Sequence, residues 1–282
     1  MLDGVMLLWF VLAAASLAFV AVDIRATPES TVMKWGFVLL TAYTGPIGAF
    51  LYVLGCREPL PGLHERYVAV RWRQVLGSTM HCVAGDGVGI LVGAVLARYF
   101  HLAGFAEIAL EYALGFLFGW TVFQALFMRD MAGSYGRSLK TTFIPEFLSM
   151  NVLMAGMVPV AALMARHVDA SSDPQHAEFW FRMSMALLAG FSVAFPMNWW
   201  LVARHLKHGM TTVQPAAAAE PTNLDASGSH PGHSRPAEPK KAAGSGMSAP
   251  AVSRTALLGM MLLSIATFVA GLALTAWITT VR

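Results

Sequence analysis

The sequence predicts an all-α bundle of seven transmembrane helices, and three observations carry that fold class. Of 282 residues, 56% are hydrophobic and only 12% are charged, roughly half the charged fraction of an ordinary soluble domain. The apolar residues gather into seven runs, each long enough to cross about 30 Å of hydrocarbon. Between the runs, basic residues alternate in density from loop to loop, which marks a fixed orientation in the bilayer. The lipid bilayer is therefore the first expected partner. A formal net charge of +3 gives no reason to expect nucleic acid, because the basic residues sit in the loops.

Leu2 to Val22 is the first run. It has no basic segment before it and Asp3 at its start, so it reads as a retained span rather than a cleaved leader. Thr27-Pro28-Glu29-Ser30 marks a turn. The second span extends from about Trp35 to Leu54, and Thr44-Gly45-Pro46 should bend or loosen it. Cys56 to Gln74 is a polar connection carrying Arg57, Arg66, Arg71 and Arg73. The third span is Val75 to Ala97. The fourth ends near Met128 and holds Glu107 and Glu111 one turn apart, with Glu111, Gly115 and Gly119 forming a stripe suited to close packing.

A second basic loop, Arg129 to Thr142, precedes the fifth span, Phe143 to Ala165. Asp173-Pro174 opens a sixth helix that reaches His208, with a kink expected at Pro196 near Met197-Asn198-Trp199-Trp200. Residues 211–253 are rich in Ala, Pro, Gly, Ser and Lys without an apolar period, the composition of a disordered linker. Thr255 to Val281 is the seventh span. The expected organisation is a six-helix core over 1–210, a cytoplasmic linker over 211–253 and a last helix over 254–282. The loops after spans two, four and six carry four, three and six basic residues, against two, one and one in the others. The richer set is expected in the cytoplasm, with the N terminus and the C terminus outside.

The chemistry concentrates in Ser78-Thr79-Met80-His81-Cys82-Val83-Ala84-Gly85-Asp86-Gly87-Val88-Gly89. An imidazole, a thiol and a carboxylate are costly in hydrocarbon unless paired, hydrated or used. At about 100° per residue, His81, Cys82 and Asp86 share one face with Ser78, Gly85 and Gly89, while Met80 points elsewhere. Thiolate and imidazole together suit a soft or borderline metal, with copper favoured. Carboxylate and imidazole equally suit a proton relay, and packing alone is the plain alternative. Glu111 is a candidate proton or cation relay that could face Asp86. Glu146, Met150, Met154 and Met157 form a stripe on span five that could admit a soft cation, although such a stripe is ordinarily core.

Asn198 is a further polar candidate inside a span. His81 is the only histidine well inside a span, which argues against a bis-histidine haem. No nucleotide-binding glycine loop, Ser-His-Asp arrangement or CxxC pair is present, so neither a nucleotide-driven pump nor a thiol oxidoreductase is expected. The two cysteines, Cys56 and Cys82, do not form a disulfide framework.

Several of these stretches resemble a bacterial membrane-protein family known only as domain of unknown function 4396. They are Gly45-Pro46 with Tyr52, the Ser78 to Gly89 segment with its His81-Cys82 pair, Ser138-Leu139, and Phe179-Trp180-Phe181 through Pro196-Met197-Asn198-Trp199-Trp200 to Lys207 and Met210. The similarity covers roughly Trp35 to Met210. It implies a multi-pass protein of the bacterial inner membrane, in a family sometimes associated with copper handling. The family pattern has a second cysteine four residues after the first and an acid later, where this chain has Asp86 and Ile90. That departure leaves a mixed His/Cys/Asp set in place of a thiolate pair. The leading expectation is a transporter or metal-handling protein for a soft cation, rather than an enzyme. A membrane redox enzyme or accessory subunit is the second reading. The third is a non-catalytic scaffold, joining copies or partners through its small-residue helix faces.

Overall fold

The computed structural model describes residues 2–58, 60, 62–209 and 252–280. The expected linker over 211–253 lies outside the described residues, apart from its last two positions. The chain opens with α1 (Leu2–Asp23), α2 (Thr31–Thr44), α3 (Pro46–Gly55) and the short α4 (His64–Val68). The long α5 (Arg71–Tyr99) follows, then α6 (Phe105–Phe118), which widens into a π-helical segment over Gly119–Gln124. Two brief helices, α7 (Ala125–Phe127) and α8 (Arg129–Ala132), lead into α9 (Tyr135–His167), α10 (Ala177–Ala203) and α11 (Arg254–Thr280). The all-α membrane class stands. Among the described residues six helices are long and apolar enough to cross a membrane: α1, α5, α6 with its continuation to Phe127, α9, α10 and α11.

The second predicted span differs. Gly45 takes φ 56° and ψ −131°, a conformation that side chains exclude, and Pro46 then starts α3 in the position proline prefers. The chain reverses there instead of bending. The lack of a Cβ on Gly48 lets α3 close on α2, since one would meet Thr41 and Thr44 at 2.7 and 2.6 Å. At 1.5 Å per residue α2 reaches only about 21 Å, so its tip meets Ala13 and Trp9 partway along α1. The base is tied to the end of α1. Tyr52 donates to Asp23 at 2.8 Å and shares a 2.9 Å bond with Thr27, and Arg57 pairs with Asp23 at 2.9 Å. Residues 31–55 thus form a re-entrant hairpin that leaves by the end it entered.

This reversal changes the parity of the bundle. Seven crossings would put the termini at opposite ends, whereas six return them to one. Met6 in α1 packs with Val168 and Phe181 at that end, and Arg166 donates to the carbonyl of Ile278 in α11 there too. The opposite, basic end collects Arg25, Lys34, Arg57, Arg66, Arg71, Arg73 and Arg129. At the terminal end Arg98 lies near Asp173 (3.9 Å) and Arg182 near Glu107 (3.8 Å).

Glycines set the helix spacing around α5. Gly89 and Gly93 lie against Leu114, Gly115 and Glu111 of α6, so close that a Cβ would meet backbone. The small-residue faces expected to recruit a partner are therefore used within the chain, each by the other. α9 runs beside α10, where Asn198 and Ser149 exchange bonds of 3.0 and 3.2 Å. α11 docks on the far side of α9, with Gly271 on Ala155 and a 3.2 Å bond from Asn151 to Ser264.

Candidate functional site

Four elements place polar groups in the core, in the half of the bundle nearer the basic end. Cys82 lies on α5 a turn before Asp86 and a turn after Ser78, and all three are buried. The π-helical segment contributes Gln124. A π turn inserts an extra residue per turn and rotates the rest of the helix relative to the turns before it. Here it sets Phe123 against Gly85 and Gln124 against the thiol. α9 contributes Glu146, directly after Pro145, whose missing N–H loosens the helix at that point. The fourth group comes from beyond α10. His205 takes φ 56°, and Leu206 N–H closes onto the Leu201 carbonyl at 2.9 Å, a left-handed helix stop. That turn sends Lys207 back into the bundle, 5% exposed.

The four converge. Gln124 Nε2 donates to Cys82 Sγ at 3.0 Å, the thiol donates to Glu146 Oε2 at 3.3 Å, and Lys207 Nζ donates to the same oxygen at 3.2 Å. Asp86 completes the cluster from the other side of Glu146. Its Oδ1 and Glu146 Oε1 both face Gly119: a Cβ there would collide with the first and stand 3.0 Å from the second. Among the described residues no N–H or O–H group donates to either Asp86 oxygen or to Glu146 Oε1, and Ser78 Oγ also lacks a partner. Two carboxyl groups against one ammonium leave the cluster one positive unit short when both are ionised. Buried charge of that kind is costly. A proton or a metal cation between the carboxyls closes the balance.

The residues expected to act together are partly separated. His81, one position before Cys82, is rotated by about 100°. Its ring lies against Phe123 and Phe127, centroids 5.3 and 4.9 Å away, and its Nε2 has no partner. His81, Cys82 and Asp86 therefore do not present donors that close on one ion. Among the described residues the triad whose donor atoms all lie within 4.8 Å of one another is Glu29, Cys56 and His64. Glu111 does not face Asp86: it packs against Gly93, seven residues further along α5, or about 10 Å of helix rise. It lines a cavity of about 270 Å³ at the terminal end with Glu107, Arg166, Arg182 and Met157.

Met150, Met154 and Met157 are buried core. Met150 packs on Gly115 and Met157 on Gly190, so the stripe runs as a solid ladder from Glu146 to that cavity. Asn198 clamps α10 to α9 through Ser149 and stays outside the cluster.

Gln124, Lys207 and Gly119 carry much of the site and were not among the site residues expected from the sequence. A π turn has no sequence signature here. The burial of Lys207 depends on the reversal at His205, whereas the sequence places it in the last turn of a helix reaching His208, where a lysine reads as solvated. Glu29, Cys56 and His64 come from three segments joined only by the hairpin. Burial there pushes the Cys56 thiol up, with the charge of Glu29 adding to the effect and Lys34 opposing it.

Residues 71–207 match the family model described as Domain of unknown function (DUF4396). That stretch starts at the first residue of α5 and ends on Lys207, so it holds every member of the core cluster. No curated protein matches the chain, and no solved structure does.

Proposed function

We propose that this DUF4396-like core handles a cation within the bacterial inner membrane, with a soft metal, copper(I), as the favoured cargo. In this reading the basic end faces the cytoplasm and both termini lie outside, the orientation that the loop charges favour. The carrying observation is the buried contact of Lys207 with Glu146 beside the Cys82 thiol, together with Asp86 oxygens that no group donates to. In this reading the Lys207 ammonium occupies the place of the cargo. An arriving cation displaces it, the Cys82 thiol gives up its proton to solvent as it binds the ion as thiolate, and the carboxylates supply the remaining counter-charge. Soft metals prefer sulfur to carboxylate, so the thiol dominates affinity. The methionine ladder from Glu146 to the terminal-end cavity is the route across the remaining thickness, and it must loosen for the ion to move. The packing of α5 on α6 through Gly89, Gly93 and Gly115 supports preferring this reading to a scaffold.

Metal content of purified protein tests this. After exposure to copper(I), wild type should retain copper and Cys82→Ser should lose it. Lys207→Met should retain at least as much as wild type, because it removes the competitor and leaves Glu146 unpaired. Without metal, that variant should be less stable by about 3–5 kcal/mol, and copper should restore the loss. Equal copper in wild type and Cys82→Ser, or release of copper by Lys207→Met, would overturn the reading.

A further inference from the structure

The base of the re-entrant hairpin gathers a second set of donors, separate from the core cluster. Glu29 lies in the turn before α2, Cys56 directly follows α3, and His64 opens α4. A crossing second span would have left Glu29 and Cys56 on opposite faces of the bilayer. The reversal at Gly45 brings them to one end, and the ties of Tyr52 to Thr27 and Asp23 hold the two strands of chain in register. One ligand atom from each residue falls within 4.8 Å of the other two. His64 Nε2 and Glu29 Oε1 are 3.0 Å apart.

Two nitrogen or oxygen ligands on a tetrahedral zinc-like ion stand roughly 3.4 Å apart, given bonds of about 2.1 Å, and a sulfur ligand only slightly further away. The observed spacings bracket those values, so closing on an ion requires movements of about 1 Å. Cys56 and His64 are almost wholly buried, at 0% and 3% exposure. His64 Nδ1 has no partner among the described residues. A buried ion pair alone would use Glu29 and His64 and would have no need of a thiol at the same point.

We infer that Glu29, Cys56 and His64 form a binding site for a borderline divalent cation of the zinc class, which clasps the mouth of the hairpin. Thiolate, imidazole and carboxylate together match zinc, which accepts all three, better than copper(I), which gains little from a carboxylate. Three protein ligands leave a fourth position for water or another group. The site lies outside residues 71–207 and shares no residue with the core cluster, so either can fail without the other.

The test uses untagged, full-length protein in detergent, titrated with zinc(II) and with cobalt(II) as its spectroscopic substitute. Cys82→Ser, in which Cys56 is the one remaining thiol, should bind one equivalent and show the thiolate-to-cobalt charge-transfer band. Replacing Cys56 by serine in that same background should abolish the band. The zinc affinity should then fall by more than the roughly 10- to 100-fold that removing an outer-shell partner costs. His64→Gln should weaken binding while leaving some sulfur ligation. Should Cys56→Ser not fold, maleimide labelling of Cys56 in the Cys82→Ser protein decides, and zinc should slow it at least tenfold. A missing charge-transfer band in Cys82→Ser, a zinc affinity undiminished when Cys56 is replaced in that background, or labelling indifferent to zinc would overturn the site.

Discussion

Gly119 shows how a single missing methyl group can hold a site open. The Asp86 and Glu146 carboxyls meet in the space its side chain would fill. Gly119→Ala should destabilise the protein by about 1–3 kcal/mol, as overpacking does, and should disturb both carboxyls. Gly136, near the start of α9, meets nothing within 4 Å, and Gly136→Ala should be neutral or stabilising by a few tenths of a kcal/mol up to about 1. Thermal unfolding of the two variants in detergent checks the contrast; equal effects would mean that Gly119 has no special place. At this scale the sequence was informative about cost and silent about partners. His81, Cys82, Asp86 and Glu146 stood out because each is expensive in hydrocarbon. Which of them meet depends on the rotation of each helix, and the π turn at Gly119–Gln124 sets that rotation for Gln124.

At the scale of elements, the hairpin of α2 and α3 decides most. Hydropathy sees an apolar run of sufficient length near Trp35 to Leu54 and reads a crossing. The Gly45-Pro46 pair was visible as a break, but a bend and a reversal share that signature. What separates them is contact at a distance: Gly48 on Thr41 and Thr44, Gly45 on Ala13, and Tyr52 on Asp23. Single cysteines at the exposed positions Ala26 and Leu60, placed in a chain lacking Cys56 and Cys82, should both react with an impermeant thiol reagent from the same side of the membrane. Labelling from opposite sides would restore a crossing span and dissolve the Glu29–Cys56–His64 cluster with it. The long spans were easier to read, because α5, α9 and α10 need only sustained apolarity to be recognised.

The whole molecule is organised by its number of crossings. Six crossings and one hairpin bring Met6 in α1 and Ile278 in α11 to the same end. Loop charges indicated the sidedness, and an expected outside position for both termini already demanded an even number of crossings. The count of seven apolar runs concealed that number. A reporter active only in the periplasm should be active when fused to either terminus, and a reporter that folds only in the cytoplasm should be inactive at both. Opposite results at the two termini would break the architecture.

The hairpin also bears on how the chain enters the membrane. Had residues 31–55 crossed, Arg25 and Lys34 would have had to be exported against the membrane potential, at about 2.3 kcal/mol per charge per 100 mV. A segment that dips in and returns spares that work. In the proposed orientation, no charge between Asp23 and Arg73 ever leaves the side on which the chain is synthesised. At the outer end of the first helix stands Asp3, and an acid is a charge that the potential itself drives outward.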